Sequence, residues 1–155
     1  MTCYYFAYGS NMNQARMKAR EMAVEEVMAG SLTGVDLAFN KLAADAPNRS
    51  YANIVYAAQG KVEGVLYRLS GLREIERMDP FEGAPRFYSR EVYQIDTAQG
   101  PISAWVYVAN KAMIDNDLKP ARWYLNHLLA GQEFLGVDYY QALTLVECND
   151  EPLPQ

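Results

Sequence analysis

The sequence predicts an α+β fold built on a mixed, strongly curved or barrel-like β-sheet with flanking helices, and three observations carry that expectation. Alternating apolar runs fill the earlier part of the chain, and a substantial helical pattern comes only late. Repeated strand–helix–strand units and a glycine-rich dinucleotide fingerprint are both missing.

The run Tyr4-Tyr5-Phe6-Ala7 reads as a first strand that stops at Tyr8-Gly9-Ser10-Asn11. A turn of this composition delivers exposed backbone N–H groups to the rim of a sheet, where an anionic group can be held. Met12 to Glu26 reads as helical or partly helical, since Met12, Ala15, Ala19 and Met22 can share a face. Val35, Leu37 and Phe39 alternate as a strand does, and Asn40 to Ser50 has loop composition. Tyr51 to Tyr56 is compatible with a strand or with a semi-irregular wall of a site. Gln59-Gly60 predicts a turn ahead of a strand over Lys61 to Leu69.

Ser70 is suited to cap a short helix over Gly71 to Met78, with Leu72, Ile75 and Met78 inward. Asp79-Pro80 is expected to end that helix and leave Phe81 to Pro85 as a constrained connection. Arg86 to Ile95 resumes extended structure. Gln99-Gly100-Pro101 punctuates a hairpin into Ile102 to Val108, so these two strands should be antiparallel. After a polar loop from Asn110 to Lys119, Pro120 opens a helix reaching Gly131. Residues 1–148 are expected to form a single domain, with 149–155 a flexible C-terminal tail.

With 155 residues the chain can bury a core without disulfides or a structural metal. Its net charge of -5 leaves no broad positive surface for a phosphate backbone, because Arg16, Lys18 and Arg20 run straight into Glu21, Glu25 and Glu26. Nucleic acid is therefore not an expected partner. No apolar window reaches membrane-spanning length, and the start of the chain lacks a secretory pattern, so a cytoplasmic location away from membranes is expected. One histidine and two distant cysteines, Cys3 and Cys148, give no metal site; no cofactor is expected, and the cysteines are read as thiols in a reducing compartment. Oligomeric state is left open by the sequence.

Glu82 is the leading candidate for chemistry. It follows a helix terminator and lies between Phe81 and Gly83, in a stretch stiffened by Pro80 and Pro85. An apolar surround there would raise its carboxyl pKa into a range useful for proton transfer, whereas a wet surround would make it an ordinary loop acid. Asp79 is either its partner or a turn residue. A Ser-His-Asp set would have to use His127, which sits in an apolar helical pattern, and Ser10 lacks a nucleophile elbow.

Phe6-Ala7-Tyr8-Gly9-Ser10-Asn11-Met12, Leu37-Ala38-Phe39-Asn40-Lys41, Tyr51-Ala52-Asn53-Ile54, Val62 to Tyr67, Met78-Asp79-Pro80-Phe81-Glu82-Gly83 and Tyr88-Ser89-Arg90 together resemble the gamma-glutamylcyclotransferase-like family, and Pro120 to Leu125 continues the likeness. The resemblance implies a barrel-like core with a pocket at the strand ends. It also implies cleavage of a small gamma-glutamyl amide by the substrate's own α-amine, releasing 5-oxoproline and an amino acid, peptide or amine. On that resemblance Tyr8, Gly9, Ser10 and Asn11 form the substrate-binding loop, Glu82 is the general base and acid, and Tyr107 orients the substrate. Tyr88 and Arg90 either support Glu82 or serve the fold. Two other readings stand beside this one: a non-catalytic protein binding a small anionic metabolite through the same pocket, and a protein–protein adaptor if that pocket is closed.

Overall fold

In a computed structural model, which describes residues 2–149, β1 (Cys3–Ala7), β2 (Val24–Leu42), β3 (Ser50–Leu69), β4 (Tyr88–Thr97) and β5 (Gly100–Ala109) close into a barrel in the order β1-β3-β2-β4-β5. Every pairing is antiparallel except the closing contact, where β1 meets β5 in parallel at Tyr5 and Trp105. Four helices lie around the sheet: α1 (Gln14–Ala19), α2 (Leu72–Glu82), α3 (Arg122–Leu129) and α4 (Val137–Thr144). The predicted α+β class with a barrel-like sheet is thus the observed one. Phe6, Val65, Leu66, Ile95 and Val106 fill the core without exposure, and removing such apolar surface from water is the main force holding the strands together.

The two longest strands set the shape. β2 and β3 pair along nearly their whole lengths, from Val24 opposite Leu69 to Leu42 opposite Ser50, but only one part of the ribbon belongs to the barrel. β1 pairs with Val65 to Leu69 and β4 meets β2 at Ser31, whereas the stretch from Val35 to Leu42 and its partner from Ser50 to Tyr56 reach past those contacts. This arm is tied back to the barrel end by Asn53, whose side-chain oxygen accepts from the Ala109 N–H at 2.9 Å.

Several expected elements differ from the structure for identifiable reasons. β3 runs straight through Gln59-Gly60, where a turn was expected. The register shift lies opposite, between Thr33 and Val35, and Gly34 takes φ +82 within it. Gly60 is there because the Val35 carbonyl occupies the place a Cβ would take, so the glycine marks a bulge rather than a reversal. The helix expected over Met12 to Glu26 ends at Ala19, and Glu21, at φ 57, turns the chain into β2. Ladder pairing of Val24 with Leu69, and the bond from the Ala23 N–H to Glu74 Oε2 (2.9 Å), outweigh helical propensity in so short a segment.

α2 continues through Pro80 to Glu82 instead of ending at Asp79-Pro80. A proline close to a helix end removes a single backbone bond, and here the following turn is closed by the Gly83 and Ala84 N–H groups on the Pro80 and Asp79 carbonyls. The segment after Gly136, left without an element by its composition, forms α4. Cys3 is a buried free thiol, so no disulfide joins the chain ends through it. Asn149, assigned to the tail, has its backbone bonded to Pro120 and Arg122, and 150–155 lie outside the described residues.

Substituting Gly60→Ala would push a methyl group into the Val35 carbonyl and the Asp36 carboxylate. The expected cost is about 1–3 kcal/mol, the range for overpacking a fitted site, read as a lower urea midpoint at unchanged slope.

Candidate active site

β1 runs up the barrel and ends at Ala7, where its end is followed by a 3₁₀ turn over Ser10–Met12. α3 packs on that turn, with Leu125 and Leu128 fully buried. The Gly9, Ser10 and Asn11 N–H groups donate to no protein acceptor among the described residues. Tyr67 Oη donates to the Asn11 carbonyl at 2.6 Å and fixes the turn from inside the barrel.

Glu82 reaches this turn from the last residue of α2. Ile75 and Met78 are fully buried and dock the helix, and Gly83 closes it in the left-handed conformation at φ 66, which glycine adopts without a Cβ penalty. Asn11 Nδ2 donates to Glu82 Oε1 at 3.0 Å, while Asn11 Oδ1 accepts from Arg20 at 3.0 Å. The Arg20 guanidinium also lies 3.7 Å from Glu82 Oε1, and its face covers the Phe81 ring. With its side chain 18 % exposed, Glu82 is held above the ordinary carboxylate range by burial, partly opposed by Arg20, Arg16, Lys41 and the Asn11 bond. Its place at the C-terminus of a helix acts in the same direction as burial.

Two connected hollows meet at this carboxyl group. The outer one is an open cleft of about 240 Å³ whose walls include Arg16, Lys41, Tyr51, Phe81, Phe87 and Tyr88. The inner one is a recess of about 30 Å³, bounded by Tyr5, Tyr8, Gly9, Asn11, Ala52 and Tyr107. Ser10, Glu82, Tyr88 and Tyr124 border both. The tyrosine hydroxyls are largely committed to the frame: Tyr8 donates to the Tyr107 carbonyl at 2.5 Å, Tyr88 to the Ala52 carbonyl at 2.7 Å, and Tyr124 to no carbonyl but from the Ala52 N–H at 3.0 Å it accepts. Burial pushes all of these phenols up, so they stay neutral.

The sequence-predicted residues therefore separate into two groups. Tyr8, Gly9, Ser10, Asn11, Glu82, Tyr88 and Tyr107 converge on the hollows. Arg90 does not: it forms a two-pronged pair with Asp79 (2.9 and 3.0 Å) and covers the Trp105 ring. Tyr107 Oη donates to the same Asp79 carboxylate at 2.6 Å, so Asp79 is the partner of Arg90 and Tyr107 and not of Glu82. His127 Nδ1 shares a hydrogen bond with Asn13 Nδ2 (3.0 Å) and borders neither hollow. The condition that would favour an adaptor, a closed pocket, is not met, since the outer cleft opens to solvent.

Arg16, Arg20, Lys41, Tyr51 and Tyr124 were not singled out as site residues from the sequence. Arg16 and Arg20 had a readable signal, because their four-residue spacing in an expected helix puts them on one face and Lys18 on another; in the structure Arg20 is the C-cap of α1. Lys41 stood in a family-like block, Leu37 to Lys41, but within an expected loop that gave it no role; in the structure it lies in β2, 4 % exposed, with its ammonium over the rings of Tyr51, Phe87 and Tyr88 at 5.2, 4.7 and 5.3 Å. Among the described residues no group of three or more His, Cys, Asp or Glu side chains is arranged to hold a metal ion, and no helix is long and apolar enough to cross a membrane.

A sequence profile described as gamma-glutamyl cyclotransferase, AIG2-like, matches residues 5–126. No curated protein matches the chain. A solved structure of the human uncharacterized protein loc79017 is similar at 21% identity and TM-score 0.84, covering 99% of this chain and 92% of that one. A structure titled gamma-glutamyl cyclotransferase is similar at 21% identity and TM-score 0.85, over 99% and 93% of the two chains. A yeast gamma-glutamyl cyclotransferase specific to glutathione shares 10% identity at TM-score 0.67, over 92% and 93%. At such identities these structures share the fold.

Removing the amide in Asn11→Ala deletes a donor that favours charged Glu82 and the acceptor that anchors Arg20. The Glu82 carboxyl should then titrate higher than in the unaltered protein, measured by carbon-detected NMR. The fold should lose about 1–3 kcal/mol, the cost of leaving buried polar groups unpaired.

Proposed function

The chain belongs to the gamma-glutamyl cyclotransferase, AIG2-like family, and on that premise we propose that it cyclises a gamma-glutamyl amide to 5-oxoproline with release of the amine, Glu82 serving as base and then acid. The observation that carries this reading is the Glu82 carboxyl itself: partly desolvated, oriented by Asn11, and opening onto both hollows. An α-ammonium group titrates near pH ~8, well above an ordinary carboxylate. Raising Glu82 narrows that gap and makes proton transfer between the two less uphill.

The steps follow from the chemistry of the substrate. Glu82 takes a proton from the α-ammonium, and the freed nitrogen pair attacks the gamma-carbonyl carbon to close a five-membered ring. Electrons move onto the carbonyl oxygen, where the Gly9, Ser10 and Asn11 N–H groups are the available donors for the developing charge. The protonated Glu82 then delivers its proton to the leaving nitrogen as the carbon–nitrogen bond breaks and the carbonyl re-forms, and the ring nitrogen's remaining extra proton passes by way of the re-ionised Glu82 to the released amine, which leaves as an ammonium. Because nucleophile and electrophile belong to one molecule, holding the folded-back conformer supplies much of the rate. No enzyme nucleophile is required, which fits a Ser10 hydroxyl without a neighbouring histidine. Tyr107 and Tyr88 shape the walls, and Arg90 acts on Tyr107 from behind through Asp79.

A second reading, binding of a small anionic metabolite without ring closure, draws support from the cations Arg16 and Lys41 in the cleft. Formation of 5-oxoproline by purified protein separates the two. Glu82→Gln should remove that product at least 100-fold, the order expected for a lost general acid–base, while leaving circular dichroism unchanged; a variant as active as its parent would refute the mechanism.

The pH dependence has a definite sign. Glu82 must be ionised to accept a proton, so kcat/KM should fall on acidification with a midpoint above the ordinary value of 4.5. Stability runs the other way. A carboxyl whose folded pKa lies above its unfolded value carries no burial penalty below that unfolded value, and the penalty grows as pH rises through the folded one. The melting temperature of Glu82→Gln relative to its parent should accordingly increase between about pH 4 and about pH 7.

A further inference from the structure

The outer cleft contains more positive charge than its protein partners use. Arg20 is committed to Asn11 and Glu82, and Asp45, the other acid at the rim, is paired with Arg49 at 2.9 Å. Arg16 and Lys41 form no ion pair with any described carboxylate, and Arg16 Nε is buried without a hydrogen-bond partner. Lys41 is the more unusual of the two. Its ammonium is enclosed by three aromatic faces, a setting that attracts a cation but supplies no hydrogen-bond acceptor, and it faces the cleft.

Every gamma-glutamyl compound has one constant anion, the α-carboxylate of its glutamyl part. One cation is enough to receive it. Two uncommitted cations beside one carboxyl base imply a second anionic group on the ligand, and the only variable part of the ligand is the leaving amine. Arg16 lies four residues before Arg20, the C-cap of α1, whose N–H bonds the Arg16 carbonyl and whose guanidinium lies beside Glu82. Arg16 is thus suited to the glutamyl carboxylate, whose carbon also carries the attacking nitrogen. Lys41 lines the cleft with its ammonium over Tyr51, Phe87 and Tyr88 and is absent from the inner recess.

We infer that Lys41 is a specificity-determining residue that receives a carboxylate on the leaving group, so that the substrates are gamma-glutamyl amino acids or peptides and not gamma-glutamyl alkylamines or polyamines. This rests on the cyclotransferase reading above. The aromatic faces position the ammonium before ligand arrives, and its N–H donors meet no protein acceptor among the described residues. A cationic leaving group would instead meet Lys41 and Arg16 as like charges.

The test compares gamma-glutamyl-L-alanine with gamma-glutamyl ethylamide, which differ only by the leaving group's carboxylate, using the full-length protein and 5-oxoproline release as the readout. The alanine compound should have a kcat/KM higher by about 10- to 100-fold, the range for a charge-assisted hydrogen bond, mostly through KM because the carboxylate is remote from the reacting carbon. Lys41→Met, which keeps the stem and loses the charge, should bring the ratio of the two substrates close to one, and Lys41→Arg should restore much of it. Raised salt should shrink the ratio in the unaltered protein. Equal turnover of both compounds by the unaltered protein overturns the inference and leaves the cyclotransferase reading intact. A ratio that persists in Lys41→Met, in a variant whose melting curve shows it folded, overturns the role of Lys41. Cyclisation of neither compound overturns both readings.

Discussion

The side-chain amide of Asn11 is the tie on which the site depends. Its nitrogen donates to Glu82 from one side of the hollow and its oxygen receives Arg20 from another, while Tyr67 holds its backbone carbonyl. One buried residue thereby joins the end of β1, the end of α2 and the basic face of α1. An amide is suited to this task because it offers a donor to an anion and an acceptor to a cation at once, without a charge of its own. An aspartate at the same place would set a second carboxylate against Glu82, and a leucine would leave both charged groups without their orienting bonds.

The same tie explains how Glu82 can be both buried and usable. Burial and the C-terminus of α2 favour its neutral form, and three cations with one amide donor favour the charged form. Opposing influences of this kind leave a carboxyl group responsive to a ligand. A bound substrate carrying carboxylates would occupy the cations and weaken their hold on Glu82. The proton affinity of Glu82 would then rise as an α-ammonium group arrives. On the proposed mechanism, charge compensation in the cleft and proton transfer at its floor form one electrostatic system, and the aromatic faces around Lys41 keep it partly shielded from solvent.

Much of this was legible in the sequence, and the failures have local causes. The β4–β5 hairpin was readable because period-two alternation on both sides of Gln99-Gly100 has only one simple geometry, and the ladder from Tyr88–Ala109 to Thr97–Gly100 has it. Gln59-Gly60 was misread because a glycine forced by a carbonyl from a neighbouring strand looks, in one chain, like a glycine at a turn. α4 went unassigned since only Leu143 along it is buried, which leaves too thin an apolar stripe to reveal a helix. Glu82 was singled out as a candidate, but as a loop residue, because Asp-Pro signals a helix end and the closing bonds of Gly83 and Ala84 cannot be read from composition. The cations were harder still. Their meaning depends on which helix face meets which strand, and that is decided by contacts far apart in the chain.

The position of the cleft follows from the length mismatch in the sheet. β2 and β3 are longer than the strands that flank them, so the ribbon from Val35 to Leu42 and from Ser50 to Tyr56 extends past β1 and β4 and is met instead by an isolated bridge from Ile114 to Lys41. Bulges at Thr33/Val35 and Ala38/Lys41 interrupt its register, and bulges of this kind bend and twist a strand. The arm brings Lys41 and Ala52 to the same end of the barrel as the Ser10–Met12 turn, where Tyr124 bridges to it by accepting from the Ala52 N–H. A barrel with strands of matched length would end in a flat rim. Here the overhanging ribbon makes one wall, α1 and α2 make the other, and the charged groups stand where the two walls face each other.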